Sequence, residues 1–163
     1  MPRKSADKKH AVRPLRASDL ERMIAIDEAH TGHTRRRFFE KRLDAAEREA
    51  QDFIHIGMER DGKLTGFLLA RILHGEFGRD QPVAALDVIG VDPRAQDQGH
   101  GRALMQGLTA AMRDRGVRRL HSQAQWNNYP LLKFFGAAGF ELSPRMVLER
   151  PVNEPLAEAA DEL

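Results

Sequence analysis

The stretch Val91-Asp92-Pro93-Arg94-Ala95-Gln96-Asp97-Gln98-Gly99-His100-Gly101-Arg102-Ala103-Leu104 decides how the chain is read. It joins an apolar run, Val83 to Val91, to a long helical pattern through a turn that holds two glycines. The first N–H groups of a helix have no partner inside it, and the helix dipole makes that end partly positive. Glycine lets such N–H groups approach an anion closely. A strand, a glycine turn and a helix start together form a cradle for a phosphate.

The flanking residues narrow the kind of phosphate. A nucleotide-hydrolysing P-loop needs Gly-Lys-Ser/Thr, and here Gly101-Arg102-Ala103 offers no hydroxyl for a magnesium ion. A dinucleotide fold needs a third small residue and an acid about twenty residues on. Leu104 and His121 stand at those places instead.

Outward from this turn, elements can be assigned by period and punctuation. Ala11–Arg16 reads as an edge strand. Ser18, three residues before Glu21, has capping-box spacing and opens a helix to about Ala29. Thr31–Thr34 breaks it, and a second helix runs from Arg35 to about Glu49, with Arg35-Arg36-Arg37 as a solvated start. Phe38 and Phe39 face the core, one of them a candidate wall of the substrate channel. Phe53–Glu59 and Leu64–Leu73 form a hairpin about Asp61-Gly62, His74–Pro82 is a loop, and Val83–Val91 is a strand. A helix from Gly99 or Gly101 to about Arg115 follows. Val117–Gln123 is extended, Leu131–Ala138 is a short helix, and Phe140–Leu142 and Met146–Pro151 are closing strands. The order gives one α/β domain over 11–152, a mixed sheet with helices packed on it.

Composition bounds the rest. The 163 residues have no cysteine, which excludes disulfides, thiolate metal sites and a thiol nucleophile. Seven histidines lack metal-ligand spacing, so no metal site is expected. No apolar run is long enough to cross a membrane, and no apolar leader follows the basic start, so a cytoplasmic protein is expected. The net charge of +2 is uneven. Residues 1–16 hold six Lys/Arg against Asp7, whereas 153–163 hold four acids. The ends read as tails, basic and disordered over 1–10 and acidic over 153–163. The middle is nearly neutral and lacks the basic stripe of a nucleic-acid binder, so nucleic acid is not an expected partner. Only the basic tail offers a DNA-associated reading.

Gln96-x-x-Gly99-x-Gly101, with its flanks, resembles the pyrophosphate-binding motif of the GNAT superfamily of acyl-CoA-dependent N-acetyltransferases. Leu131-Leu132-Lys133-Phe134-Phe135-Gly136-Ala137-Ala138-Gly139-Phe140 is similar to that family's late helix ending in Gly-Phe. The resemblance covers about residues 11–150. It implies a mostly antiparallel twisted sheet, helices on both faces and a splayed central strand pair. It also implies acetyl-CoA as donor, its pantetheine arm paired with main chain near Ile89 and Val91. The amides of Gln98, Gly99, His100, Gly101 and Arg102 would hold the pyrophosphate beside Gln96. Arg94 and Arg102 either add charge or are ordinary exposed arginines. Val91 N–H is the implied oxyanion donor.

The remaining candidates serve the amine. Asp87 is the lone acid of its strand and shares parity with Ile89 and Val91, which makes it a candidate base; a structural Asp paired with an arginine is the other reading. Glu28, just before the loop between the first two helices, is a second candidate acid, and His30 and His33 lie in that loop, where the resemblance puts the acceptor; each histidine taken alone reads as an ordinary surface-loop residue. Many members carry a tyrosine as acid for the thiolate where this chain has Phe135. Tyr129 is the candidate substitute; otherwise it packs the helix start and water supplies the proton. Asn127 is a candidate contact to the pantetheine arm. Trp126 is expected in the core. Direct attack on acetyl-CoA by a primary amine in a ternary complex is the leading reading, and a non-catalytic acyl-CoA-binding or sensor module is the alternative. Two copies pairing along the Met146–Pro151 edge is a further expectation.

Overall fold

The computed structural model describes residues 10–153. Five strands form one sheet in sequence order: β1 His10–Pro14, β2 Phe53–Arg60, β3 Lys63–Leu73, β4 Val83–Val91 and β5 Leu120–His121. Strands β1 to β4 run antiparallel, and β5 is parallel to β4. Four helices cover the sheet: α1 Leu20–Thr31, α2 Arg36–Arg48, α3 His100–Asp114 and α4 Tyr129–Ala137. The β2–β3 turn has left-handed backbone at both Asp61 (φ 51°) and Gly62 (φ 78°), the geometry a tight hairpin demands.

Period-2 alternation in the strands feeds two cores. On one face Ile56, Leu68, Ala70, Ala84 and Leu86 pack under Leu104, Leu108 and Met112 of α3 and Phe135 of α4. On the other, Phe67 and Leu69 pack under Met23 and Ile26 of α1 and Phe39 of α2, with the Phe39 and Phe67 rings edge to face at 5.6 Å. Helices therefore lie on both faces.

Several expectations need correction. Residues 140–142 and 146–151 form no strands. A strand needs a partner for its backbone groups, and β5 is too short to offer one. Only Leu120–His121 of the expected Val117–Gln123 strand pairs with β4. His10 opens β1 rather than ending a tail; residues 1–9 and 154–163 of the expected tails lie outside the described residues. The Ser18–Glu21 capping box is absent. The chain starts α1 through a short 3-10 turn, where the Asp19 carboxylate accepts from Arg16 N–H at 2.8 Å and from both ends of the Arg13 guanidinium. Glu21 instead receives Arg36. Arg35 and Arg36 are not simply solvated: Arg35 grips Asp27 and stacks on Phe38 and Phe39, so two ion pairs lock α2 onto α1. Trp126 is 80% exposed, outside the core.

Candidate active site

The strand β4 sets the geometry. Leu69 pairs with Val88 and Ala70 with Leu86, so Asp87 is an extra residue, a β-bulge, with no partner in β3. The bulge switches the alternation. Leu86 packs on the α3 side and Val88 on the α1–α2 side, yet Ile89 and Val91 are on the α3 side again. Asp87 therefore does not share a face with Ile89 and Val91, as parity alone predicts. It points to the α1–α2 side, where Arg71 Nε donates to it at 3.1 and 3.2 Å and Arg42 Nη2 lies 3.1 Å away.

Beyond Ala84 and Ala85 the β4–β5 ladder stops, and the last tie is Ser122 Oγ donating to Leu86 O at 3.0 Å. From there β4 has an open edge, whose outward N–H and C=O groups are available to an extended chain. A cleft of about 1390 Å³ opens along it, bounded by the end of α1, the start of α3 and α4.

The glycine turn closes one end of the cleft. Gly99 precedes α3 with φ 78°, a left-handed backbone that glycine adopts without strain. The first intrahelical bond visible there is Ala103 N–H to Gly99 O, which leaves the N–H groups of His100, Gly101 and Arg102 for a ligand. No side chain caps them. Gly101 serves packing: a Cβ there would come within 2.9 Å of the Phe134 ring, so its smallness lets α4 dock beside the turn. Asp92 steadies the approach to the turn. It accepts from Arg94 N–H at 2.9 Å and pairs with Arg22. Burial would raise its pKa, but these two donors outweigh burial and hold it below the usual carboxylate value.

Of the expected cofactor residues, Ile89, Val91, Gln96, Gly99, His100, Gly101 and Arg102 all border the cleft. Gln98 accepts from Arg60 at 2.8 Å. The His100 ring is buried, with neither nitrogen hydrogen-bonded, against His10 at 5.3 Å. Asn127 lies in the turn before α4, while its neighbour Asn128 caps that helix and borders the cleft. Tyr129 is 68% exposed, and Phe135 is buried against Phe140 at 4.7 Å.

On the acceptor side, His30 borders the cleft and its Nε2 lies 2.7 Å from Val91 O. Glu28 accepts from Thr34 at 3.0 Å, and His33 Nδ1 bonds to Thr31 O within its own loop. The fold adds Asp27 and Arg35 to the cleft wall. They are eight residues apart across a loop, and no sequence period links them. Among the described residues no cluster of three metal-ligating side chains occurs.

A mostly antiparallel sheet that parts beside a glycine-started helix is the arrangement that the resemblance to acyl-CoA-dependent acyltransferases implies. The profile of the acetyltransferase (GNAT) family matches residues 15–140, and the chain belongs to that family. It is similar to aminoglycoside N(6')-acetyltransferase type 1 of Stenotrophomonas maltophilia, 32% identical over 67% of this chain and 72% of that protein. It is also similar to the mycothiol acetyltransferase of Propionibacterium freudenreichii, 29% identical over 78% of this chain but only 42% of that protein. Among solved structures, the aminoglycoside 6'-N-acetyltransferase AAC(6')-Ih of Acinetobacter baumannii shares the fold. Its TM-score is 0.73, at 18% identity, over 88% of this chain and 98% of that one. AAC(6')-Iy in complex with a CoA bisubstrate analogue shares it too, with a TM-score of 0.70 at 22% identity, over 88% of this chain and 98% of that one. The chain is an N-acetyltransferase with acetyl-CoA as donor. Among the described residues no helix is long and apolar enough to cross a membrane.

Proposed function

We propose that the chain transfers acetyl from acetyl-CoA to a primary amine by direct attack, with both substrates bound together. The observation that carries this reading is the juxtaposition of the uncapped α3 amides and the open β4 edge in one cleft. The amides from Gln98 to Arg102 hold the pyrophosphate, and β4 pairs with the pantetheine arm near Ile89 and Val91. Bound there, acetyl-CoA supplies an activated thioester.

His30 takes the amine proton. A carbonyl oxygen only accepts, so Nε2 carries the hydrogen in the bond to Val91 O, and Nδ1 keeps its lone pair. The amine nitrogen bonds to the thioester carbon, the C–S bond breaks, and the departing thiolate takes its proton from water. A thiol with an ordinary pKa near 8.5 needs no strong acid to leave. Tyr129 and Asn127 have no part in this scheme, because the first is exposed and the second lies outside the cleft wall. Asp87 orders Arg71 and Arg42 instead of acting as base, and Glu28 and His33 shape the α1–α2 loop.

The relatives' names favour catalysis over a sensor role. The cytoplasm, where acetyl-CoA is at hand, is the compartment this reading requires. The edge expected at Met146–Pro151 is not a strand, but Met146, Val147 and Leu148 are exposed, which supports two copies packing through that segment; size-exclusion chromatography tests it. The activity is tested by calorimetry with acetyl-CoA and by thiol release across a panel of amines. Binding with turnover is expected; tight binding with no turnover on any amine would restore the sensor reading.

A further inference from the structure

The turn that opens α3 is built for an anion, yet it carries a carboxylate. Asp97 borders the cleft, just ahead of His100, whose N–H is free at the start of the helix. Its backbone is left-handed (φ 59°), as is that of Gly99 (φ 78°). After glycine, Asp and Asn are the residues that adopt this conformation most readily. The bend therefore admits Asp97 without requiring its charge, because an uncharged Asn or Gly would suit the same backbone.

The charge serves no contact inside the protein. Asp97 is exposed, and among the described residues it makes no hydrogen bond and no ion pair. Asp92, at the other end of the same turn, differs: it accepts from Arg94 N–H and pairs with Arg22. The nearby Arg60 is turned to Gln98 at 2.8 Å and to Asp61 at 3.8 Å. Arg94 and Arg102 flank the turn and are exposed, so both can attract a diphosphate, and the Asp97 carboxylate offsets one of them. The distances make this effective. Three peptide units span at most about 11 Å between the Cα atoms of Asp97 and His100. A phosphate on the His100 N–H therefore lies well within the Debye length of ~30 Å that holds at about 0.01 M salt.

We propose that Asp97 is a specificity-determining residue for the donor: its carboxylate loosens the hold of the turn on the diphosphate of acetyl-CoA and of the CoA that leaves. This rests on the diphosphate seat proposed above. Donor and product carry the same diphosphate, so a tighter seat would retain both and add nothing to the chemical step. The carboxylate lowers donor affinity and eases product release together.

The test compares acetyl-CoA with S-acetylpantetheine, which delivers the same thioester without any phosphate. Thiol release is followed with each donor, and the ratio of their kcat/KM values is taken on one preparation, so the folded fraction cancels. At about 0.01 M salt the ratio in Asp97→Asn should rise at least about threefold above that of the wild type, chiefly through the KM of acetyl-CoA. Asp97→Gly should show the same rise. The inhibition constant of CoA should fall by the same factor. At about 1 M salt, where the Debye length is ~3 Å, the rise should vanish. An unchanged or lowered ratio, a rise in only one of the two variants, a rise that persists at high salt, or an unchanged inhibition constant for CoA overturns the proposal. A wild-type protein that uses S-acetylpantetheine as well as acetyl-CoA would instead remove the diphosphate seat, and this proposal with it.

Discussion

His30 Nε2 lies 2.7 Å from the carbonyl oxygen of Val91, tying the last turn of α1 to the end of β4 where the sheet opens. The tie fixes the tautomer and leaves the Nδ1 lone pair unused. Substituting His30→Ala should lower kcat by about 100-fold or more, the usual range for a lost general base. Acetyl-CoA affinity by calorimetry should stay near that of the wild type. A variant that keeps a near-normal kcat would show that His30 only positions Val91.

Gly101 faces the Phe134 ring with no room for a Cβ. Gly101→Val should destabilise the fold by about 1–3 kcal/mol through overpacking. It should also raise KM for acetyl-CoA, since α4 must shift beside the turn. Urea denaturation and donor kinetics check the two effects, and Phe134→Leu in the same chain should recover part of each.

Asp87 is held by Arg71 and Arg42. Asp87→Asn should leave both guanidiniums without a countercharge. The cost is about 1–2 kcal/mol, below the ~3–5 of a fully buried pair because these arginines are partly exposed. The fall in kcat should be far smaller than that of the His30 variant. A variant of normal stability that loses turnover would restore Asp87 as the base.

The His55 ring is mostly buried, with both nitrogens unpartnered. Burial, aided by Arg42 and partly offset by Asp87, pushes its pKa down to about 4. Unfolded, it takes up a proton near 6.5. Between these values the unfolded chain binds more protons, so stability is complete above pH 6.5 and falls as pH drops toward 4, by at most about 3 kcal/mol. His55→Met should remove this loss. Thermal melts at pH 7.5 and pH 5 should show a smaller drop in the variant than in the wild type.

The hairpin, the long helix and the glycine turn were legible because each is written locally, as a period, an Asp-Gly pair or a helix start. The phosphate cradle followed from the same local chemistry. The closing strands and most of β5 were not legible, because strand propensity in Met146–Pro151 says nothing about whether a partner lies alongside. Trp126 failed likewise, since size and apolarity do not fix burial.

The sequence by itself determined the class of this protein, because the anion cradle is backbone chemistry that a short contiguous segment specifies. Tertiary structure decided where the candidate side chains point. A single extra residue at Asp87 turned that carboxylate to the opposite face of the sheet, and the distant contact between His30 and Val91 set which imidazole nitrogen is free. Both depend on registers and packing between segments far apart in the chain, which local patterns do not encode.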